Sequence, residues 1–398
     1  MCDVMASVAN DPTLPESNRR QFLKVLGAAA AAGGLVASGV GTALASPGGN
    51  NGLGRGGKGR TRLVLLGTAG GPSYAQSERF GISTAVVYGD STYIVDLGLG
   101  SLMRFRQSSA SGTPGVASMW NGVRGVFFTH MHSDHLTDWP AAWATANANS
   151  IGRPVNAPKV EVFGPGNRGV LPRIFPSNRP VPPQAPYNPA DPTPGITGMT
   201  DYLTKAWAND FNDRFYDGNF AGPAAVFHVQ DIHAPYTPTP LGSPPAMDPF
   251  LVWKDGDVTV TATLVDHHPT APAFGFRFDT PDGSVTISGD TAVSPNLIKL
   301  AQGTDYLVHE VIDPDFVEKL VLTLPPQQQA PLREHLLGAH TTIEQVGAAV
   351  AEPAGAKNLV LTHLVPADNP KGRWMEAKKG YSGRLVVGED LMELRVGG

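Results

Sequence analysis

Thr129-His130-Met131-His132-Ser133-Asp134-His135 follows without a break on Gly122–Phe128, an apolar run with the length and composition of a buried strand. In an extended segment alternate side chains share a face, so His130 and His132 can grip one cation together. Asp134 and His135 lie past the bend and can reach a second. Imidazole and carboxylate donors packed this densely, at the point where a strand gives way to a loop, predict a metal centre rather than a histidine-rich surface loop.

Outward from this cluster the arrangement recurs. Upstream, Arg62–Leu66 reads as a short strand ending in the turn Gly67-Thr68-Ala69-Gly70-Gly71-Pro72, and Ser83–Tyr88 with Ser91–Val95 as a hairpin turned by Gly89-Asp90. Lys159–Phe163 is the next strand downstream. Val258–Val265 then stops at His267, Ser284–Ile287 at Asp290, Tyr306–Val308 at His309-Glu310, and Asn358–Leu361 at His363. A helix is predicted from Thr342 to about Glu352, behind His340. Strands that stop at His or Asp present those side chains from the loops at one edge of a sheet. Two ligand-bearing halves predict a pseudo-symmetric sandwich, although no sequence repeat joins them.

Residues 168 to about 250 break the rhythm. They are rich in Pro, with one predicted helix around Tyr202–Tyr216, and read as an insertion shaping one side of a cleft. Their five basic residues (Arg168, Arg173, Arg179, Lys205, Arg214) face seven acidic ones (Asp191, Asp201, Asp210, Asp213, Asp217, Asp231, Asp248), which argues against an RNA-binding arm. The whole chain of 398 residues is 41% hydrophobic and 16% charged, as in a globular protein with a sizeable core. Its net charge of -5 supplies no general attraction for nucleic acid or anionic membranes.

Asn18-Arg19-Arg20-Gln21-Phe22-Leu23-Lys24 precedes an Ala- and Gly-rich apolar stretch, Val25 to Val40, and then Ala43-Leu44-Ala45. The stretch is short and Gly-interrupted for a membrane span and resembles a twin-arginine signal peptide over residues 1–45. This predicts a partner in the twin-arginine export machinery, a periplasmic or secreted location, and no stable membrane anchor. A Gly-rich linker follows over residues 46–61. Cys2, the single cysteine, would leave with the signal, so neither a disulfide nor a thiolate ligand is expected in the mature chain.

The pattern His-x-His-x-Asp-His resembles the metallo-β-lactamase superfamily, and the likeness runs over nearly all of residues 62–398. Leu66-Gly67-Thr68, Tyr93-Ile94-Val95-Asp96-Leu97-Gly98, Val265-Asp266-His267 and Pro272-Ala273-Phe274-Gly275-Phe276-Arg277 are similar to the tRNase Z and arylsulfatase branch. So are Ser288-Gly289-Asp290-Thr291, Val308-His309-Glu310, Ala339-His340-Thr341-Thr342 and Leu361-Thr362-His363-Leu364, in that order.

The resemblance implies an α/β fold, a four-layer αββα sandwich with the Pro-rich insertion, and two divalent cations. His130, His132 and His267 would hold one cation, Asp134, His135 and His363 the other, and Asp290 would bridge them. Nitrogen and oxygen donors without sulfur suit zinc, and manganese or iron are also compatible. His268 competes with His267, but the words flanking Val265-Asp266-His267 favour His267. Asp134 would also orient the attacking water, His340 would donate a proton or stabilise an oxyanion, and Glu310 would hold the His340 ring. Asp96 is expected beneath the metals, while His309 is either a support for the site or core. His228, His233 and His335 fall outside the motifs and read as surface or packing residues. Trp139, Trp207, Tyr216 and Phe220 either line the pocket or pack the core.

The leading functional expectation is an exported hydrolase that cleaves a sulfate or phosphate ester of a small molecule with metal-bound hydroxide. Nucleic acid is not expected as a partner. Lactone, organophosphate or β-lactam hydrolysis, a tRNase Z-like endonuclease and an iron-dependent redox enzyme are the alternatives. A homodimer is compatible with the sequence and not required by it.

Overall fold

The computed structural model describes residues 61–72, 78–111, 119–154 and 156–397. The signal, the linker up to residue 60 and Cys2 lie outside the described residues. No helix among the described residues is long and apolar enough to cross a membrane.

Strand β1 (Thr61–Gly67), one residue earlier at its start than the sequence suggests, shows how the layers arise. Its apolar residues alternate between two buried faces. Leu63 and Leu65 join Val86, Tyr93, Val95 and Phe127 against Val260, Phe276 and Val308 of a second sheet. Val64 and Leu66 instead join Ile94, Val126 and Phe128 against Trp139 and Ala142 of a flanking helix. Beyond the second sheet, Leu307, Leu359 and Leu361 pack on Val346, Val350 and Trp374. Three apolar seams therefore separate four layers, helix–sheet–sheet–helix, as the resemblance implies.

The first sheet runs β14 (Glu393–Val396), β1, β2 (Ser83–Tyr88), β3 (Ser91–Val95), β4 (Val123–Phe127), β5 (Val160–Pro165), β6 (Phe227–Ile232). The second runs β7 (Phe250–Asp255), β8 (Val258–Leu264), β9 (Phe274–Thr280), β10 (Gly283–Ile287), β11 (Tyr306–Ile312), β12 (Asn358–Val365), β13 (Arg384–Val387). In that order each sheet has three antiparallel pairings followed by three parallel ones. Parallel neighbours deliver their C-terminal ends to one edge, where open α/β sheets place ligand sites. The loops after β3, β4 and β10 carry Asp96, His130 and Asp290, and His363 lies within β12, near its C-terminal end.

The insertion is more regular than its sequence suggests. Two helices, Ile196–Ala206 and Ala208–Gly218, replace the single predicted one, with the chain leaving helical geometry at Trp207. Ile196 is buried in the outer apolar seam, and β6 adds a seventh strand by pairing in parallel with β5. Behind His340 the predicted helix is a short α-turn, Ile343–Gln345, capped by Thr342, that widens into a π-helix over Val346–Ala351.

Near the start of β4, Arg124 clasps Asp255 of β7 through Nε–Oδ2 and Nη2–Oδ1 bonds of 2.8 Å each, and the Tyr93 hydroxyl donates to Asp255 Oδ2 at 2.9 Å. The guanidinium holds the Asp255 carboxyl below its ordinary range. A depressed folded-state value means the clasp is fully stabilising above the ordinary carboxylate range and is lost as pH falls through the lowered value. Asp255→Asn is therefore expected to cost about 1–3 kcal/mol at neutral pH. Urea titrations of both proteins should converge as the medium is acidified, and equal midpoints at pH 7 would refute the clasp.

Candidate metal centre

Asp96 sits at the end of β3 with φ 60°, a left-handed conformation that is uncommon outside glycine. Its Oδ1 accepts from the Thr129 backbone N–H at 2.8 Å, and its Oδ2 accepts from the Thr129 hydroxyl at 2.8 Å. Oδ2 also lies 2.8 Å from His135 Nδ1. A carboxylate only accepts, so His135 carries its proton on Nδ1 and turns Nε2 toward Asp290 Oδ2, 3.2 Å away. Asp96 thus lies beneath the cluster, fixing both the turn and the ring.

The first group comprises His130, His132 and His267, with one ring nitrogen of each within 4.8 Å of the others. The Thr129 hydroxyl, having given its proton to Asp96, accepts from His130 Nδ1 at 3.1 Å, which leaves His130 Nε2 as a buried lone pair without a partner. His267 Nδ1 donates to the Ala339 carbonyl at 2.9 Å, so its Nε2 is bare as well. That Nε2 faces His132 Nδ1 across 3.1 Å, while His132 Nε2 meets the Thr270 hydroxyl at 2.8 Å. Burial holds the His130 and His267 rings well below their ordinary pKa and lowers His132 to about 4. Neutral imidazoles with converging lone pairs are the form that binds metal.

The second group is Asp134, His135, Asp290 and His363, again within 4.8 Å of one another. His363 Nε2 lies 3.3 Å from both Asp134 Oδ2 and Asp290 Oδ2. Asp290 Oδ2 also reaches to 3.9 Å from His130 Nε2, which puts this carboxylate between the groups, and its buried Oδ1 has no partner. Burial alone would raise the Asp134 and Asp290 carboxyls, yet the surrounding imidazoles hold both below the ordinary carboxylate range. Burial likewise opposes the charge on His135, but Asp290, Asp96 and Asp134 push its pKa well above normal. The same concentration of negative charge would neutralise a dication. Orphaned lone pairs in the first group and clustered carboxylates in the second fit two divalent cations.

Two glycines make room. Gly289 has φ 61°, and a Cβ there would lie 2.6 Å from the Phe274 carbonyl oxygen; at Gly70 it would lie 2.3 Å from His363 Nδ1. His363 itself has φ 45°.

His340 Nδ1 is 3.2 Å from Glu310 Oε1, but off the hydrogen-bonding direction, since that oxygen already accepts from the Thr341 N–H at 2.9 Å and the Thr291 N–H at 3.2 Å. Burial opposes charge on His340, and Glu310 with Asp290 outweighs it, pushing the imidazole up to about 9. His309 is buried with Nδ1 on the Glu310 carbonyl and belongs to neither group. His268 is not a ligand candidate either. Its Nδ1 meets Asp266 at 2.9 Å and its Nε2 lies 3.6 Å from Glu334. His228 pairs with Glu161 on the exposed side of β6. Trp139 is core, donating to the Thr200 hydroxyl, while Trp207 and Phe220 border a separate cavity and Tyr216 is exposed.

His335 requires a correction. Instead of a surface or packing role, the helix Pro326–Gly338 brings its ring to 5.6 Å from His267 and 5.8 Å from His132 and His340, centroid to centroid. It falls outside the strand-end words, and its placement depends on where that helix docks. His132 and His335 together form part of the wall of a cavity of about 660 Å³.

Because Asp96 aims His135, Asp96→Asn should weaken metal retention by about 10–100-fold, measured by competition with a chelator dye. Gly70→Ala should displace His363 and deplete one of the two cations; full metal content in both variants would overturn these roles.

No family model matches the chain. Ribonuclease Z of Mycobacterium avium (strain 104) is 30% identical over 342 residues, covering 84% of this chain and 98% of the relative. Ribonuclease Z of Mycobacterium bovis (strain BCG / Pasteur 1173P2) is 29% identical with the same coverage. Among solved structures, the metallo-β-lactamase fold protein YhfI from Bacillus subtilis superimposes with a TM-score of 0.51 at 15% identity, over 84% of this chain and 99% of the other. Human tRNase Z, short form, gives 0.51 at 19% identity with the same coverage, a likeness of fold. The expectation that nucleic acid is no partner is overturned by the curated relatives, which are ribonucleases matched along almost their whole length. The chain belongs to the ribonuclease Z family, within the metallo-β-lactamase fold superfamily.

Proposed function

We propose that the chain is a zinc-dependent phosphodiesterase that cleaves RNA-type phosphodiester bonds. The observation that carries this reading is one carboxylate, Asp290, set between two donor groups, beside the His340–Glu310 pair. Kinship with ribonucleases over almost their whole length favours the phosphodiester over the sulfate ester among the substrates expected of the sequence. Two dications, held by His130, His132 and His267 and by Asp134, His135, Asp290 and His363, would supply a nucleophilic water at neutral pH and charge stabilisation at the attacked group.

The chain's own residues do the rest. Asp134, whose Oδ2 also accepts from the Gly71 N–H at 3.1 Å, is fixed where it can orient water. His340, whose imidazole the Glu310 carboxylate pushes up against the effect of burial, is placed to give a proton to the departing oxygen. The Glu310 carboxylate lies 3.2 Å from its Nδ1 and supplies the negative charge that favours the imidazolium. An aryl sulfate monoester carries the same single charge as a phosphodiester and is the natural control substrate.

Export is proposed on the Arg19-Arg20 segment alone. Replacing both arginines by lysine should hold the protein in the cytoplasm in a fractionation assay, and unchanged export would remove the proposal.

Purified protein should hydrolyse bis-p-nitrophenyl phosphate and a short RNA, and should stop when chelator is added. His340→Ala is expected to lower kcat by about 10²–10⁴-fold with metal content unchanged. Asp290→Asn should lose both metal and turnover while keeping its far-UV spectrum. Turnover of p-nitrophenyl sulfate or a β-lactam with none of the phosphodiesters would reject the function.

A further inference from the structure

The cavity of about 660 Å³ beside the donor groups has a charge pattern that the chemistry above does not use. His132 and His335 contribute to its wall, together with Phe175 and several prolines. Its wall also carries three guanidinium groups, Arg168, Arg173 and Arg179, and a single carboxylate, Glu334. The carboxylate pairs with Arg173, whose guanidinium also lies 4.9 Å over the Phe175 ring. Arg168 is only 8% exposed; its Nη1 and Nη2 donate to the carbonyls of Pro269, Thr239 and Pro240, while its buried Nε has no partner. It has no carboxylate partner among the described residues. Arg179 is exposed and also makes no ion pair among them. This concentration of positive charge occurs in a chain whose net charge is -5.

We infer that this cavity seats the nucleotide flanking the scissile bond, with its far phosphate on Arg179 and Arg173 and its base against Phe175 and the proline wall. The inference rests on the phosphodiesterase reading and adds the substrate's recognition element. The volume suits one nucleotide. Any longer RNA would run on outside it. A second phosphate is the feature that a neutral aryl or lactone substrate lacks and that the guanidinium groups of Arg179 and Arg173 are suited to bind. His268 and Glu334 bear on the same wall: Glu334 lies 3.6 Å from His268 Nε2 and pairs with Arg173, joining the ligand loop, the helix Pro326–Gly338 and the insertion.

The test compares thymidine 5′-phosphate with thymidine 3′,5′-bisphosphate by titration calorimetry on the metal-loaded protein. The bisphosphate should bind roughly tenfold more tightly, and Arg179→Glu should remove the difference. That advantage should also shrink as salt is raised. Equal affinities for the two ligands in the native protein, or an unaltered preference in Arg179→Glu, would overturn the inference. A parallel assay with the p-nitrophenyl ester of thymidine 5′-phosphate separates the two claims. Failure to turn over sinks the phosphodiesterase reading, whereas lost bisphosphate preference sinks the nucleotide seat.

Discussion

A carboxylate buried to 3% exposure among imidazoles is the constraint on which this molecule turns. Charge is expensive inside a protein unless opposite charge or firm hydrogen bonds surround it. Asp290 has that company only because two sheets meet around it: His130 and His135 arrive from the end of β4, His363 from the end of β12. The donor groups therefore join the sheets at one end of β4. Near the other end, Arg124 and Asp255 join them again. The apolar seam between the sheets is non-directional, and these two polar contacts give it a fixed alignment.

The site also concentrates unusual backbone. Asp96 and His363 are non-glycine residues at positive φ, and Gly289 shares that region immediately before Asp290. Such conformations cost about 1–3 kcal/mol each and persist where the surroundings over-determine them. Here the Asp96 carboxylate makes three contacts and the Thr129 hydroxyl relays its direction to the His130 ring. Ligand geometry is fixed by hydrogen bonds within the chain, so the donor atoms are aimed before any cation arrives.

Much of this was legible from the sequence because it depends on period and position. His130 and His132 are two apart on extended chain, so spacing alone points to a shared site, whereas His267, Asp290 and His363 are candidates at strand ends that the family resemblance assigns to the two cations. Asp96, directly after a strand, is placed beneath the metals by the same resemblance. His335 was not legible. It lies on a helix whose docking is decided by packing of Leu332, Leu336 and Leu337 against Val317 and Val321, far from any ligand word. The start of the insertion's first helix at Ile196, the break at Trp207 and β6 escaped notice because proline-rich flanks mask segments whose order comes from tertiary contact, such as Ile196 beneath the first sheet.

The same distinction limits what counting charges can say about the insertion. Seven acids against five bases describe a segment's average, whereas recognition depends on which charges share a wall. Arg168, Arg173 and Arg179 face one cavity, and none of the seven acids lines it. Coulomb attraction is strong over a few ångströms in a partly desolvated pocket and is screened within about 10 Å in saline water. A distant Asp213 or Asp217 thus subtracts little from the field at Arg179. An acidic chain can hold a phosphate-seeking pocket, provided its cations are gathered by the fold and its anions are left on other faces.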